Sequence, residues 1–199
     1  CIEVTKSLNS VLVQPDGNVK LTFDFEITNT GGTTLDSLQL TDLFEFTPLT
    51  TPLMVSVSNG SADILPAPSL TFTGIGQNNL FDGISGSFKP GQSFNASVMA
   101  IVDPVAFSML MQPVENQATI TGQPKDEMGN AFINPATGML YAVGEVNDLS
   151  DDNTPANPDG GSPNDPTPID LPGNIEVTKS LINLANPPAS NIDGNVDAT

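Results

Sequence analysis

The clearest pattern of hydrophobic and polar positions lies at residues 19–28, where the two kinds of side chain alternate. Apolar side chains occupy positions 19, 21, 23, 25 and 27, and polar or charged ones occupy the even positions from Lys20 to Thr28. A period of two places successive side chains on opposite faces of a strand. The pattern therefore predicts an antiparallel strand with one buried face, and it predicts that Asp24 and Glu26 point away from the core.

Shorter apolar stretches predict further strands at residues 2–8, 38–42, 53–57, 70–73, 94–102, 116–121 and 139–146. Turn sequences rich in Gly, Pro, Asn and Asp separate them. One short helix is predicted at residues 104–111, because Asp103 is a suitable N-cap, Pro104 suits the first helical position and Pro113 follows the end. Many short strands predict an all-β fold, and an antiparallel β-sandwich is the expected architecture.

An internal repeat divides the chain. Residues 2–8 have the sequence IEVTKSL, which recurs at residues 175–181, and the tetrapeptide DGNV at residues 16–19 recurs at 193–196. We therefore interpret residues 1–146 as one β-sandwich repeat, 147–173 as an inter-repeat segment and 174–199 as the opening strands of a following repeat. Two explanations stay open for the partial second copy: the chain belongs to a longer tandem array, or the second opening completes the fold of a neighbour.

The second copy lacks the apolar residues that continue the first, so it cannot build a core alone, and an isolated pair of strands is marginal in water. We expect Ile175, Val177 and Leu181 to be buried against a neighbouring sandwich, with their strand added to the edge of its sheet. The predicted partner is the chain itself, as a homopolymer or as tandem repeats.

Charge and composition exclude several classes of function. The chain has 23 acidic residues against five basic ones, a net charge of −18, no His and no Trp. All five basic residues are Lys, so the clustered cations that nucleic acid requires are missing. Without His, the usual catalytic triads and His-bearing zinc sites are excluded. No apolar run approaches the ~20 residues of a membrane-spanning helix, and we expect neither membrane insertion nor enzymatic activity.

The acidic, proline-rich segment near residues 146–172 is the candidate metal site. Calcium prefers six to eight oxygen ligands, and loops rich in Asp and Asn supply them, so calcium is the predicted cofactor. The alternative is a solvated acidic linker that its prolines keep extended. The candidate ligands are Asp148, Asp151, Asp152, Asn153, Asp159, Asn164 and Asp165.

Candidate modification sites fall into three groups. Asn59 and Asn95 begin N-glycosylation sequons, and Thr154 and Thr167 precede proline as O-glycan acceptors often do; the alternative is that these residues are unmodified. Three roles stay open for Cys1: a lipid-anchored N-terminus, an intermolecular disulfide partner, or a buried residue of an excised chain. Lys6, in mid-strand, is expected to reach solvent or pair with an acid.

A less favoured alternative for Lys6 is an isopeptide bond to an Asn, promoted by a buried carboxylate. Burial lowers the pKa of an amine and makes it nucleophilic. The sequence does not identify the Asn.

Six segments occur in an order that resembles a known family. They are IEVTKS at 2–7, GNVKLTFDFEITNTG at 17–31, LQLTD at 38–42, KPGQS at 89–93, NQATITG at 116–122 and DLSDD at 148–152. Together they resemble the tandem conserved-repeat domain of unknown function of bacterial and archaeal cell-surface proteins, an immunoglobulin-like β-sandwich. The resemblance covers most of residues 2–152, and it implies an extracellular, cell-surface protein.

These observations together predict a non-enzymatic structural repeat of an extracellular filament, stalk or sheath, assembled head to tail and stabilised by calcium. The alternative is an adhesive binding module that recognises a glycan or protein ligand. A concave aromatic or apolar patch within residues 44–87 would favour the adhesive module.

Overall fold

The computed structural model describes residues 1–58, 60–82, 87–111, 113–126, 128–152 and 164–171. Within these residues the chain is mostly strand, with a single short helix. The elements in chain order are β1 (Glu3–Val13), β2 (Val19–Thr28), β3 (Thr34–Asp42), β4 (Met54–Ser58), β5 (Ala67–Pro68), β6 (Phe81–Asp82), β7 (Ser93–Val102), α1 (Pro104–Ser108), β8 (Glu115–Asn116), β9 (Ala118–Lys125), β10 (Val146–Leu149) and β11 (Thr167–Pro168).

The larger sheet has four antiparallel strands in the order β1-β2-β7-β4. Its central strand β2 pairs with β1 on one side and with β7 on the other. The apolar side chains at positions 19, 21, 23, 25 and 27 are buried, whereas Asp24 is half-buried and Glu26 is exposed. The structure therefore confirms the face that the alternating pattern predicts for β2.

The second sheet has three antiparallel strands in the order β10-β9-β3, and two small two-stranded sheets pair β11 with β8 and β5 with β6. Both larger sheets contribute buried side chains to one hydrophobic core. Phe23 and Val98 come from the four-stranded sheet, and Leu40 and Ile120 come from the three-stranded sheet. The fold is all-β with antiparallel sheets, as the sequence predicts.

The long connection between β3 and β7 adds aromatic side chains to this core. Phe44 lies with its ring centroid 4.6 Å from that of Phe46, 5.7 Å from that of Phe23 and 5.9 Å from that of Phe72. The strand predicted at residues 70–73 is wrong. Phe72 is buried there, but the backbone runs through bends instead of a ladder, because the Gly74 turn follows directly.

The predicted helix is confirmed but shorter than expected. It spans Pro104–Ser108, and the Asp103 side chain accepts a hydrogen bond from the Val105 N–H at 2.9 Å, as an N-cap should. Phe107 is the buried residue of the helix, with its ring centroid 5.7 Å from that of Phe46. After the helix, Met109 and Met111 are exposed, whereas Leu110 is half-buried against the core.

The predicted boundary at residue 146 requires correction. β10 begins at Val146 and pairs with β9 in the three-stranded sheet, whereas the strand predicted at residues 139–146 is mostly turns with exposed side chains. Further along, β11 pairs with β8, and Ile169 is buried in the common core. Residues 146–152 and 164–171 therefore belong to the same folded unit as residues 1–145.

Candidate functional site

Lys6 lies on the core-facing side of β1. Val4 and Lys6 lie at inward positions of this strand, Ile2 lies just before its start in the same phase, and all three are buried. Lys6 is opposite Phe25 of β2 in the ladder. The apolar residues fix the register of β1 against the core, so the alternation of the strand directs the lysine inward.

Two other strands also place one polar residue at an inward position. In β3, Asp42 follows the buried Leu38 and Leu40 with a period of two, and Asn116 of β8 precedes the buried Ala118 in the same way. Lys6 and Asp42 have 0% exposed surface, and Asn116 has 2%. Each of the three strands therefore interrupts its apolar face with one polar side chain.

The three polar side chains meet in the core. Lys6 Nζ lies 2.7 Å from Asp42 Oδ2, and it also donates a hydrogen bond to Asn116 Oδ1. Asn116 Nδ2 donates to the carbonyl oxygen of Leu43 at 2.9 Å. Among the described residues, Asp42 Oδ1 accepts no hydrogen bond although it is buried. We refer to Lys6, Asp42 and Asn116 as the buried polar cluster.

Aromatic rings surround the lysine end of the buried polar cluster. Lys6 Nζ lies 4.7 Å from the ring centroid of Phe23, 5.3 Å from that of Phe25 and 5.8 Å from that of Phe44. Ring faces attract a cation weakly, but they replace the water that an ammonium group would otherwise bind.

Backbone hydrogen bonds hold β1 in place at Lys6. The Lys6 N–H donates to the carbonyl oxygen of Asp151 at 2.7 Å, and the Thr167 hydroxyl donates to the carbonyl oxygen of Lys6 at 2.9 Å. The polar groups of the Lys6 backbone are thus satisfied by residues that follow β9 in the chain. These contacts fix the position of the lysine relative to the other two side chains.

Burial drives both ionisable groups of the cluster toward their neutral forms. It lowers the pKa of the Lys6 amine, and the attraction of Asp42 opposes this effect. Burial likewise raises the pKa of the Asp42 carboxyl, against the opposing effects of Lys6 and the neighbouring Asn116 amide. The site therefore brings together a nucleophilic amine, an amide carbonyl and a carboxyl group that can carry a proton.

The sequence predicts part of this site. The expectation that Lys6 pairs with an acid is confirmed, but the expectation that it reaches solvent is wrong, because the lysine is on the buried face. Asp42 and Asn116 are not among the predicted site residues. The signal that could have identified them is their phase: each lies two residues from a buried apolar residue of the same strand.

The described residues among the predicted calcium ligands make several local contacts. Asp148 Oδ2 accepts the Val4 N–H at 2.9 Å, and the Asp151 backbone is bonded to β1. Asn164 lies in a turn with φ of 79°. No group of three or more His, Cys, Asp or Glu residues suited to a metal occurs in the described ranges, which include Asp148, Asp151, Asp152 and Asp165. Asn153 and Asp159 lie outside the described residues, so the calcium site stays a prediction from sequence.

The predicted glycan acceptors differ in accessibility. Asn95 is exposed on β7 and points away from the core, so its glycosylation stays a prediction. The predicted glycosylation of Thr167 requires correction. Thr167 is buried, and its hydroxyl donates to the carbonyl oxygen of Lys6, so the folded chain does not present it to a glycosyltransferase. Asn59 and Thr154 lie outside the described residues.

Two further predictions concern the ends of the sequence. Ile175, Val177 and Leu181 lie outside the described residues, so their burial against a neighbour stays a prediction. Cys1 is exposed with a free thiol, which does not fit the buried role and leaves the lipid anchor and the intermolecular disulfide open. No helix in the described part of the chain is long and apolar enough to span a membrane.

Comparison with known proteins adds little to this picture. No protein-family model matches the chain, and no curated protein matches it. Among solved structures, it is similar to a family 123 glycoside hydrolase from Clostridium perfringens that carries out glycolipid glycan hydrolysis. The identity is 12%, the TM-score is 0.25, and the match covers 65% of this chain and 26% of that one. A likeness this low carries no argument about fold or activity.

Proposed function

We propose that the chain is a non-enzymatic structural repeat of an extracellular, cell-surface filament, stalk or sheath. On this proposal the two larger sheets form an immunoglobulin-like sandwich, and successive copies assemble head to tail. The all-β fold with one shared core and the recurrence of the opening strand in the sequence support it. The order of the six segments that resemble the cell-surface repeat family supports the location.

The observation that carries the proposal is the burial of the first copy of IEVTKSL. Ile2 and Val4 have only 2% and 1% exposed surface, and Leu8 packs against the same core. The second copy has the same residues at the corresponding positions 175, 177 and 181, and it needs the same kind of burial to avoid exposing them to water. A neighbouring copy of this sandwich is the partner that we propose for that strand.

An open strand edge offers a place for such an addition. β4 is the outer strand of the four-stranded sheet, and it pairs only with β7 among the described strands. Its residues alternate between exposed and half-buried, with Met54 68% exposed. An unpaired edge of this kind presents backbone donors and acceptors to an incoming strand.

The adhesive alternative would be favoured by a concave aromatic or apolar patch in the region between β3 and β7. Exposed apolar side chains, among them Leu49, Ile64 and Leu70, occur in that region. Its aromatic side chains at positions 44, 46, 72 and 81 are buried in the core instead. These rings therefore stabilise the fold and are not displayed for a glycan.

Sedimentation velocity and electron microscopy of the full chain test the proposal. We expect concentration-dependent head-to-tail oligomers, and we expect Ile175→Asp combined with Val177→Asp to leave the protein monomeric. The matched control is Glu176→Gln combined with Thr178→Asn, because these positions correspond to the outward-facing Glu3 and half-buried Thr5. A full chain that stays monomeric, or the same behaviour in both double variants, would contradict assembly through this strand.

A further inference from the structure

We propose that Lys6 and Asn116 are joined by an intramolecular isopeptide bond between Lys6 Nζ and Asn116 Cγ, and that Asp42 carries the proton in its formation. The bond would link β1 to β8 covalently within one chain. It is independent of the proposed assembly, because every group that it requires belongs to the same folded unit.

The orientation of the Asn116 amide supports attack by the lysine. The carbonyl oxygen of Leu43 can only accept a hydrogen bond, so the group that faces it at 2.9 Å is the Nδ2 amide nitrogen of Asn116. Oδ1 then faces Lys6 Nζ, which donates to it. The nucleophile is therefore beside the carbonyl, and the nitrogen that must leave points away from it.

The reaction balances without any co-reactant. The neutral Lys6 amine attacks Cγ, the Nζ–Cγ bond forms and the Cγ–Nδ2 bond breaks. Nζ loses one of its two hydrogens, and Nδ2 gains one and departs as ammonia. Asp42 starts as the neutral acid: it gives its proton to the leaving nitrogen and takes up the Nζ proton at Oδ2, which lies 2.7 Å from Nζ, so the carboxyl ends in its starting neutral state.

The surroundings favour the reaction. The centroids of three phenylalanine rings lie within 5.8 Å of Nζ. The rings exclude the water that would stabilise an ammonium ion. Burial moves the pKa of the amine down and that of the carboxyl up, toward the neutral amine and the neutral carboxylic acid that the step uses. Asp42 Oδ1 has no hydrogen-bond partner in the described structure, so the carboxyl is not committed to a structural contact through that oxygen.

The buried polar cluster has no other evident role. A lysine, an acid and an amide cost free energy when they are moved from water into a core, and apolar residues of similar volume serve stability as well or better. An amide bond between Lys6 and Asn116 replaces the ionisable amine by a neutral amide. The structure thus places reactive groups together where a purely structural core needs none.

Mass spectrometry of the intact full chain is the test. The wild-type protein is expected to be lighter than its sequence by one ammonia, about 17 Da. Proteolysis should then release a branched peptide in which the Lys6 and Asn116 segments are joined. A succinimide at Asn59-Gly60 also loses ammonia, but it gives no branched peptide and it persists when Lys6 is replaced.

Three variants separate the roles of the residues. Lys6→Met and Asp42→Asn should each have the full sequence mass and yield no branched peptide, and Asp42→Asn keeps the size and shape of the side chain. Circular dichroism establishes whether the Asp42→Asn protein is folded, and if it is not, Asp42→Leu, which removes the carboxyl, fills its place with an apolar side chain and keeps Lys6, is used for the same measurement. Lys125→Met is the matched control, because Lys125 lies 3.7 Å from Asp36 in a partly exposed pair, and it should keep the ammonia loss.

Either of two results would overturn the proposal. A wild-type chain with the full sequence mass, or one whose ammonia loss maps elsewhere, would show that the bond does not form. A folded Asp42→Asn protein that still yields the branched peptide would show that Asp42 does not carry the proton.

Discussion

Phe23 and Asp24 are neighbours in β2 whose side chains lie on opposite faces of the sheet. Phe23 has 0% exposed surface, whereas Asp24 is half-buried and accepts a hydrogen bond from the exposed Asn9 side chain. Phe23→Ala should lower the free energy of unfolding by about 3–5 kcal/mol, because it leaves a cavity in the core. Asp24→Asn should change it by about 0.5 kcal/mol or less. Denaturant unfolding measures both, and equal losses would contradict the register of β2.

Asp148 gives stability a defined dependence on pH. Partial burial is the main cause that raises its pKa, with the nearby charges of Glu3 and Asp151 adding to the effect and the Val4 N–H opposing it. A raised pKa in the folded state means that the contribution of the group is fully present below the unfolded pKa of about 3.9 and is lost as the pH rises through the folded pKa.

Asp148→Asn should remove this loss, since an amide keeps an oxygen acceptor for the Val4 N–H and carries no charge. Thermal unfolding of both proteins from about pH 4 to about pH 7 is the measurement. We expect the thermal midpoint of the variant to increase relative to that of the wild type as the pH rises. A difference that does not change with pH would show that Asp148 titrates as it does in the unfolded chain.

At the scale of the element, Gly74 is required by the turn that supports Phe44. Its φ is +75°, and a Cβ at this position would lie 2.5 Å from Cδ2 of the buried Phe44 ring. Gly91 has nearly the same φ, +76°, but nothing lies within 4 Å of its Cβ position. Comparing alanine substitutions at Gly74 and Gly91 therefore separates the cost of the backbone conformation from the cost of the packing clash.

Gly91→Ala should therefore cost about 1–2 kcal/mol of unfolding free energy, which is the penalty for a left-handed backbone. Gly74→Ala should cost about 1–3 kcal/mol more, because the ring must move within a packed core. Urea unfolding of the two variants gives the comparison. Equal losses would mean that the Phe44 ring moves aside at no cost.

Strand positions were predictable from sequence where alternation is long and regular. β2 and β7 begin and end within one residue of the prediction, since five apolar positions in each fix one buried face. The predictions at residues 70–73 and 139–146 fail because short apolar runs beside glycine suit a buried turn as well as a strand. In the site, the sequence of each strand is enough to predict that Lys6, Asp42 and Asn116 face inward. It is not enough to predict that they touch, because their contact depends on how separate strands pair and how the two sheets pack.

At the scale of the whole molecule, the net charge of −18 makes divalent cations relevant to assembly. If calcium binds the folded chain through the predicted acidic segment, the thermal midpoint should rise with calcium concentration at constant ionic strength. Asp151→Asn combined with Asp165→Asn should reduce this rise. Asp24→Asn is the control, since Asp24 lies on β2 and outside the segment. No shift with calcium for the wild type would contradict the predicted site.

The proposed cross-link also has a consequence for the unfolded state. Lys6 and Asn116 are 110 residues apart in the chain, so a bond between them closes most of the folded unit into one loop. For a disulfide that closes a loop of about 100 residues, the loss of unfolded-state entropy corresponds to about 4.7 kcal/mol of stability. An isopeptide bond acts on the unfolded chain in the same way, although it also converts the buried Lys6 amine into a neutral amide.

Asp42→Asn should accordingly unfold at lower denaturant concentration than the wild type, and its m value should be larger. The larger m value is expected because an unlinked chain exposes more surface when it unfolds. A loss of core contacts alone would lower the midpoint and leave the m value unchanged. Guanidinium unfolding of both proteins therefore distinguishes the two causes, and equal m values would contradict a cross-link in the wild type.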